Sequence, residues 1–306
     1  MRIRRATKSL YHDRNVLSVG IGQKASNDSQ VPSIVVGVRA KNPREKSIPP
    51  GYLVPPTITV PSEGGRPSFE VLTDVVQEKQ FYFSPMRLTA NAPTYGFAGA
   101  SIIADGALGG PGRNGAIVRD QFEHTYLLSC HHVITDFGRF QTLGHPIRDV
   151  LASEIVAAIS GLVPLVPITY NSVDIAVAAL LENKPRDNGG SIQGFRSDPL
   201  AISDWVRIHS PGGASGRVVQ VSKDVMVFGW GGDGSQFCLF EGQLEVEGLG
   251  SIGESGSAVV DTDGYLVGVF IADNSGSGIV TPIGTILDEL RREVSVRNQP
   301  IELHIV

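Results

Sequence analysis

The chain carries only two cysteines, Cys130 and Cys238, in 306 residues. Two thiols cannot build the multi-bridge framework that staples small extracellular domains, so the fold must rest on an apolar core. A secretory leader is not legible either. Met1-Arg2-Ile3-Arg4-Arg5-Ala6-Thr7-Lys8 is basic but has no apolar run behind it. Apolar stretches stop short of membrane-spanning length, and the longest, 155–168, is broken by Pro164 and Pro167. Positive charge is in deficit, with a net of −5, which leaves no basic footprint for nucleic acid. Cys-X-X-Cys and His-Glu-X-X-His, two common zinc signatures, do not occur. These absences predict a cytoplasmic protein with no metal, no cofactor, and neither nucleic acid nor a membrane as partner.

What the chain does have is glycine and proline, at 36 and 19 residues, above average use. That suits many short strands joined by tight turns, and predicts a mainly β protein. The first dozen residues could form a short basic helix. Two β-rich segments come next, 15–22 and 32–39, around the polar loop Ser26-Asn27-Asp28-Ser29. Pro49-Pro50-Gly51 and Pro55-Pro56 mark turns before strand candidates at 57–60 and 69–75. Residues 1–80 thus read as a small β-rich unit and 81–95 as a linker draped over the downstream domain. From Gly96 the texture changes to glycine-punctuated strands, and 96–306 reads as the main domain. Within it, Ile147, Val150, Leu151 and Ile155 fall on one helical face. Ile283, Ile286, Leu287 and Leu290 predict a closing amphipathic helix ending in Arg291 and Arg292, and the tail 298–306 could add a strand.

Three stretches carry chemistry. Gly253-Glu254-Ser255-Gly256-Ser257 runs straight into an apolar strand. Flanking glycines allow a turn that projects the Ser255 hydroxyl while neighbouring N–H groups converge beside it. A serine in such a turn is half of an acyl-transfer site and needs a base. Leu128-Ser129-Cys130-His131-His132-Val133 supplies a histidine just past an apolar strand, and Ser172-Val173-Asp174-Ile175-Ala176 places an aspartate inside another. A carboxylate there needs a partner. His131 rivals His132 as the base, Cys130-His131-His132 could alternatively be read as metal ligands, and Asp174 could be a buried acid held by backbone donors. In chain order the set is His132, Asp174, Ser255, separated by 42 and 81 residues. The order His…Asp…Ser differs from the serine-first and aspartate-first orders of other triad folds.

These blocks resemble the trypsin-like (chymotrypsin-fold) serine peptidases, especially bacterial members without disulfides. Ser129 to Val133 matches their Ser/Thr-X-X-His-Val block, Val173 to Ala176 their Asp-Ile/Ala-Ala block, and Gly253 to Ser257 their Gly-Asp-Ser-Gly-Ser/Gly block. The match covers roughly residues 96–295. It implies a double β-barrel in which Ser255 is the nucleophile, His132 the base, Asp174 its orienter, and the N–H groups of Gly253 and Ser255 the oxyanion hole. It makes 154–165 a strand, against the helical spacing. It also places the specificity pocket at Leu249, Gly250, Ser251 and Ile252 on one side and Ile271, Ala272 and Asp273 on the other. Leu249 at the pocket floor argues against a simple Arg/Lys pocket, and Asp273 at the rim could restore some basic preference. The segment 210–218, rich in glycine, resembles a strand entry beside that pocket. Glu254 departs from the more frequent aspartate, which in secreted relatives pairs with a newly cut N-terminus. No basic-plus-Ile/Val junction lies near Gly96, so Glu254 either stands in solvent or meets another cation.

The resulting expectation is an intracellular serine endopeptidase acting on a protein or peptide. Residues 1–80 would regulate it, alone or with a partner protein, or would pack as an extension of the first barrel. The alternatives are a catalytically idle binding or scaffold module on the same fold, or an esterase.

Overall fold

The computed structural model describes residues 2–12, 15–26, 29–39, 54–83, 98–108, 110–181, 188, 192–210, 213–231, 234–250 and 253–306. The Asn27-Asp28 loop, the turn at 49–51, the stretch 84–97, Pro211, Gly212, Ser251 and Ile252 therefore lie outside the described residues. The chain opens with α1 (Arg2–Thr7), a short 3-10 turn (Lys8–His12), β1 (Val16–Ser26), β2 (Ser29–Val38), β3 (Thr57–Val60), β4 (Phe69–Gln77) and β5 (Phe81–Tyr82). Next come β6 (Ser101–Ala104), β7 (Gly112–Arg113), β8 (Ala116–Asp120), β9 (Thr125–Ser129), α2 (His131–Thr135), β10 (Pro146–Asp149), β11 (Glu154–Leu162), β12 (Tyr170–Asn171) and β13 (Ala176–Leu180). The last third holds β14 (Trp205–Ile208), β15 (Ser215–Trp230), β16 (Gln236–Glu247), β17 (Ala258–Asp261), β18 (Leu266–Asp273) and β19 (Ser277–Pro282). It ends with α3 (Ile283–Glu293), β20 (Ser295–Val296), β21 (Gln299–Pro300) and β22 (Leu303–Ile305).

Two curled antiparallel sheets form the main body. The first runs β22-β8-β9-β13-β11-β10-β6-β7, with β7 leading directly into β8 along the chain. In the second, β16-β19-β18-β17-β14-β15 closes through a β15–β16 pairing. This is the chymotrypsin-type double barrel, with α3 as its C-terminal helix. Closure of the second sheet pairs the outer strands β15 and β16, which would otherwise be edges inviting misassociation. Strand patterns explain which faces go in. Along β14, Val206 and Ile208 are buried while Trp205 and Arg207 are exposed. All of β18 is buried, with α3 packed nearby.

Several local readings change. Residues 154–162 form a strand; the helical spacing of Ile147, Val150, Leu151 and Ile155 arises across the β10–β11 hairpin. Residues 215–230 form one bulged strand, with Ser222 at φ 52°. The tail strand β22 pairs with β8 of the first barrel.

Residues 2–80 form α1 and the strands β1-β2-β4-β3 around their own small apolar cluster, which includes Val16, Val19, Ile34, Val36 and Ile58. This unit extends the second barrel, since β1 is antiparallel to β15 with Ser18 opposite Val225 and Val19 opposite Asp224. The seam is polar and buried. Lys223 Nζ, fully buried, is 2.8 Å from Glu245 and hydrogen-bonds Glu78, whose other oxygen accepts from Ser18 Oγ at 2.5 Å. A Cβ at Gly37 would run into the Glu78 carboxylate and the Ser18 hydroxyl, so a larger residue there would displace them.

Candidate active site

Strand β9 delivers Cys130 to the start of α2, and α2 carries His131 and His132 inward; both imidazoles are buried. Asp174 lies not within a regular strand but in the segment between β12 and β13, and it is fully buried. Its two oxygens are both spent on one residue. Oδ1 accepts the His132 backbone N–H at 3.0 Å, and Oδ2 faces His132 Nδ1 at 2.5 Å. Burial pushes the Asp174 carboxyl up, but the His132 imidazole and the hydrogen bonds outweigh it and hold the group below its ordinary value. With Nδ1 donating to the carboxylate, Nε2 keeps its lone pair.

His131 takes a different partner. Its Nδ1 lies 2.8 Å from the Val163 carbonyl, which removes it from the carboxylate. Burial, ahead of the opposing pull of Asp174, lowers the His131 pKa. The folded state therefore resists protonating it. Its contribution to stability is full above the unfolded value of about 6.5 and is lost as pH falls below that value. Melting temperature measured from pH 7 to pH 5 should fall less steeply in His131→Phe than in wild type. Parallel slopes would show that His131 is not the acid-sensitive group.

Cys130, His132 and Asp174 present ligand-type atoms within 4.8 Å of one another. Their chemistry does not suit a cation. Both carboxylate oxygens face His132, and burial pushes the Cys130 thiol well up, so it stays protonated and donates to the Phe270 carbonyl at 3.4 Å.

The serine turn is locked from three sides. Arg113 N–H donates to the Ser255 carbonyl at 2.8 Å, Gly256 N–H to the Phe270 carbonyl at 2.8 Å, and Ser257 N–H to the Glu254 carbonyl at 2.9 Å. Gly253 and Gly256 both sit at φ 93°, a region that side chains rarely adopt. Among the described residues, no backbone carbonyl accepts from the N–H of Gly253 or Ser255. Ser255 Oγ itself donates to the Ile271 carbonyl at 3.1 Å, and no described group hydrogen-bonds His132 Nε2. The structure thus pairs His132 with Asp174 and directs the Ser255 hydroxyl at β18.

Glu254 meets a cation that sequence reasoning did not find. Arg113 Nη2 lies 3.3 Å from its Oε1, with both side chains largely buried, while Ser257 Oγ donates to Oε2 at 2.7 Å. The same guanidinium donates to Gly99 O at 3.1 Å and Ser101 Oγ at 3.0 Å. Arg113 therefore ties β6 and β7 to the residue before Ser255. Arg113→Met should strand the Glu254 carboxylate and loosen the turn. We expect kcat/KM to fall by roughly 10²-fold or more, the scale of one lost oxyanion donor, with partial recovery on adding Glu254→Gln. Unchanged kinetics in Arg113→Met would remove it from the site.

Of the expected pocket residues, Leu249 packs with Val246, Phe270 and Val280 in the second barrel's interior, and Ala272 is buried in the larger core. Asp273 is buried and its Oδ1 accepts from the Ser275 N–H at 3.0 Å.

No protein-family profile and no curated protein matches the chain. Solved structures similar to it are bacterial serine proteases of the trypsin and chymotrypsin type. One, a glutamic acid-specific serine protease, is 16% identical with a TM-score of 0.45, over 63% of this chain and 96% of that one. Thermobifida fusca protease A is 14% identical with a TM-score of 0.45, over 63% and 94%. Cellulomonas bogoriensis chymotrypsin is 13% identical with a TM-score of 0.44, over 63% and 94%.

Proposed function

We propose that this chain is a serine endopeptidase of a reducing, intracellular compartment, acting through His132, Asp174 and Ser255. The observation that carries the reading is the His132–Asp174 pair, with both oxygens of the acid on one histidine and Nε2 unpartnered among the described residues. A χ1 rotation at Ser255 would release its hydroxyl from Ile271 to donate to that Nε2. His132 then takes the proton as Ser255 Oγ attacks the peptide carbonyl, and the resulting imidazolium is stabilised by Asp174. The N–H groups of Gly253 and Ser255 receive the oxyanion, His132 returns the proton to the leaving amine, and water repeats the sequence on the acyl-enzyme. The N-terminal unit regulates the site, being fixed to the second barrel through the Lys223 cluster.

One observation favours the idle-module alternative, namely the Ser255–Ile271 contact in place of a serine–histidine bond. A serine-directed fluorophosphonate separates the readings. We expect covalent labelling of the folded chain, abolished in Ser255→Ala and His132→Ala. A protein left unlabelled, even after long incubation, would establish the idle module.

A further inference from the structure

Strand β18 has an edge that its barrel does not use. β17 pairs with it only as far as Ala258 opposite Val269, and Gly256 and Ser257 close on Phe270. Beyond that point the edge runs through Ile271, whose carbonyl holds the Ser255 hydroxyl, to Asp273. A strand laid antiparallel on this edge is carried directly to the nucleophile.

That place is taken by the chain itself. Tyr82 is the antiparallel partner of Asp273, while Phe81 and Tyr82 pair in parallel with Val227 and Phe228 of β15. Phe83 N–H then donates to the Phe228 carbonyl at 3.0 Å. The side chains alternate as a strand requires: Phe81 and Phe83 are buried and Tyr82 is exposed. Continued by one residue, the antiparallel register brings Phe83 level with Ala272, one step nearer Ser255 than Tyr82. Its ring centroid lies 4.7 Å from that of His132, 5.8 Å from Trp230, 6.0 Å from Phe137 and 6.1 Å from Phe240. Phe83 thus closes an aromatic box whose inner wall is the catalytic imidazole. The segment is held in register from behind, with Glu78 on Lys223 and the Lys223 ammonium 4.9 Å from the Phe81 ring centroid.

We propose that residues 81–83 are an internal occupant of the substrate groove, and that the groove accepts extended peptides with an aromatic side chain in the Phe83 position. In such a substrate the next residue lies opposite Ile271 and presents its carbonyl to Ser255. The preferred cleavage therefore falls one residue after an aromatic one. Main-chain pairing with β15 and β18 supplies affinity, and the box selects the ring. A tethered segment acts at an effective concentration of roughly millimolar, so an external peptide of similar affinity is excluded until the segment leaves. This inference rests on the peptidase reading for its chemistry, but not for its binding.

Two measurements on the full-length chain test it. The first is the rate of fluorophosphonate labelling in wild type and Phe83→Ala, with thermal unfolding as the check on folding. We expect labelling to rise roughly ten-fold or more, as the tethered competitor is weakened. The second uses the Ser255→Ala background, with and without Phe83→Ala, and a fluorescent synthetic peptide of residues 78–83. The peptide should bind roughly ten-fold tighter when Phe83 is removed, and alanine in place of its last phenylalanine should abolish binding. Should Phe83→Ala fail to fold, Phe83→Met keeps the bulk and is read in the same way. Equal labelling and equal peptide binding in well-folded variants would overturn the occupancy while leaving the peptidase reading intact. Peptide binding that rises without any labelling would uphold the occupancy and defeat the peptidase reading. Neither labelling nor binding would defeat both.

Discussion

Ser255→Ala and His132→Ala are each expected to lower kcat by roughly 10⁶-fold, and the double variant by no more, because the two act as one unit. The hydroxyl without its base is too weakly nucleophilic, and the base without its hydroxyl has nothing to activate. Asp174→Asn should cost roughly 10⁴-fold. An amide donor facing Nδ1 would favour the opposite tautomer, placing the proton on Nε2 where the lone pair is needed. Asn can still accept the His132 backbone N–H that Oδ1 now takes, so the fold should survive while the chemistry fails. Steady-state kinetics on a peptide whose aromatic residue is followed by one further residue before the cleaved bond would check the series. Additive losses in the double variant would mean that Ser255 and His132 do not share a step.

The second large effect concerns stability. Lys223→Met should destabilise the protein by about 3–5 kcal/mol, the usual cost of removing one partner from a buried ionic cluster. Lys223 is the shared cation of Glu78 and Glu245, and all three side chains are nearly or fully buried. Without it, two carboxylates are left in the seam with Gln220 and Ser18 as their remaining donors. At roughly 2–4 °C per kcal/mol for a chain of this size, the melting temperature should drop by about 10 °C. Adding Glu78→Gln and Glu245→Gln should recover much of the loss. Burial pulls the Lys223 pKa down, but Glu245 and Glu78 overcome it and hold it above its ordinary value. The cluster's contribution is therefore full below the unfolded lysine value of about 10.4 and fades as pH rises through the folded one. A melting temperature unchanged in Lys223→Met would show that the N-terminal unit is not anchored through this seam.

The seam also links stability to access. Glu78 is three residues ahead of Phe81, so the ion cluster that fastens the N-terminal unit also sets the register of the segment beside His132. Lys223→Met should for this reason raise the fluorophosphonate labelling rate as well as lower the melting temperature.

Some of this was legible in the residues alone. Glycine on both sides of Ser255, a histidine at the exit of an apolar strand and an aspartate amid apolar neighbours are local signals, and their order along the chain pointed to a double barrel. Local pattern failed where the backbone irregularity was itself tertiary. The β10–β11 hairpin mimicked a helical face because two short strands and their turn happened to space apolar residues at helical intervals.

Residue types and their order nominate the groups that could form a nucleophile, a base and an orienting acid, and fix the succession in which the chain presents them. The surroundings of those groups come from tertiary structure. Arg113 reaches Glu254 across 141 positions and Lys223 reaches Glu78 across 145, separations at which no local periodicity carries information. Phe83 meets His132 for the same reason. A buried charge or an aromatic ring acquires its role from whatever the fold brings within a few ångströms, and that is set by how the barrels close and where β1 joins them.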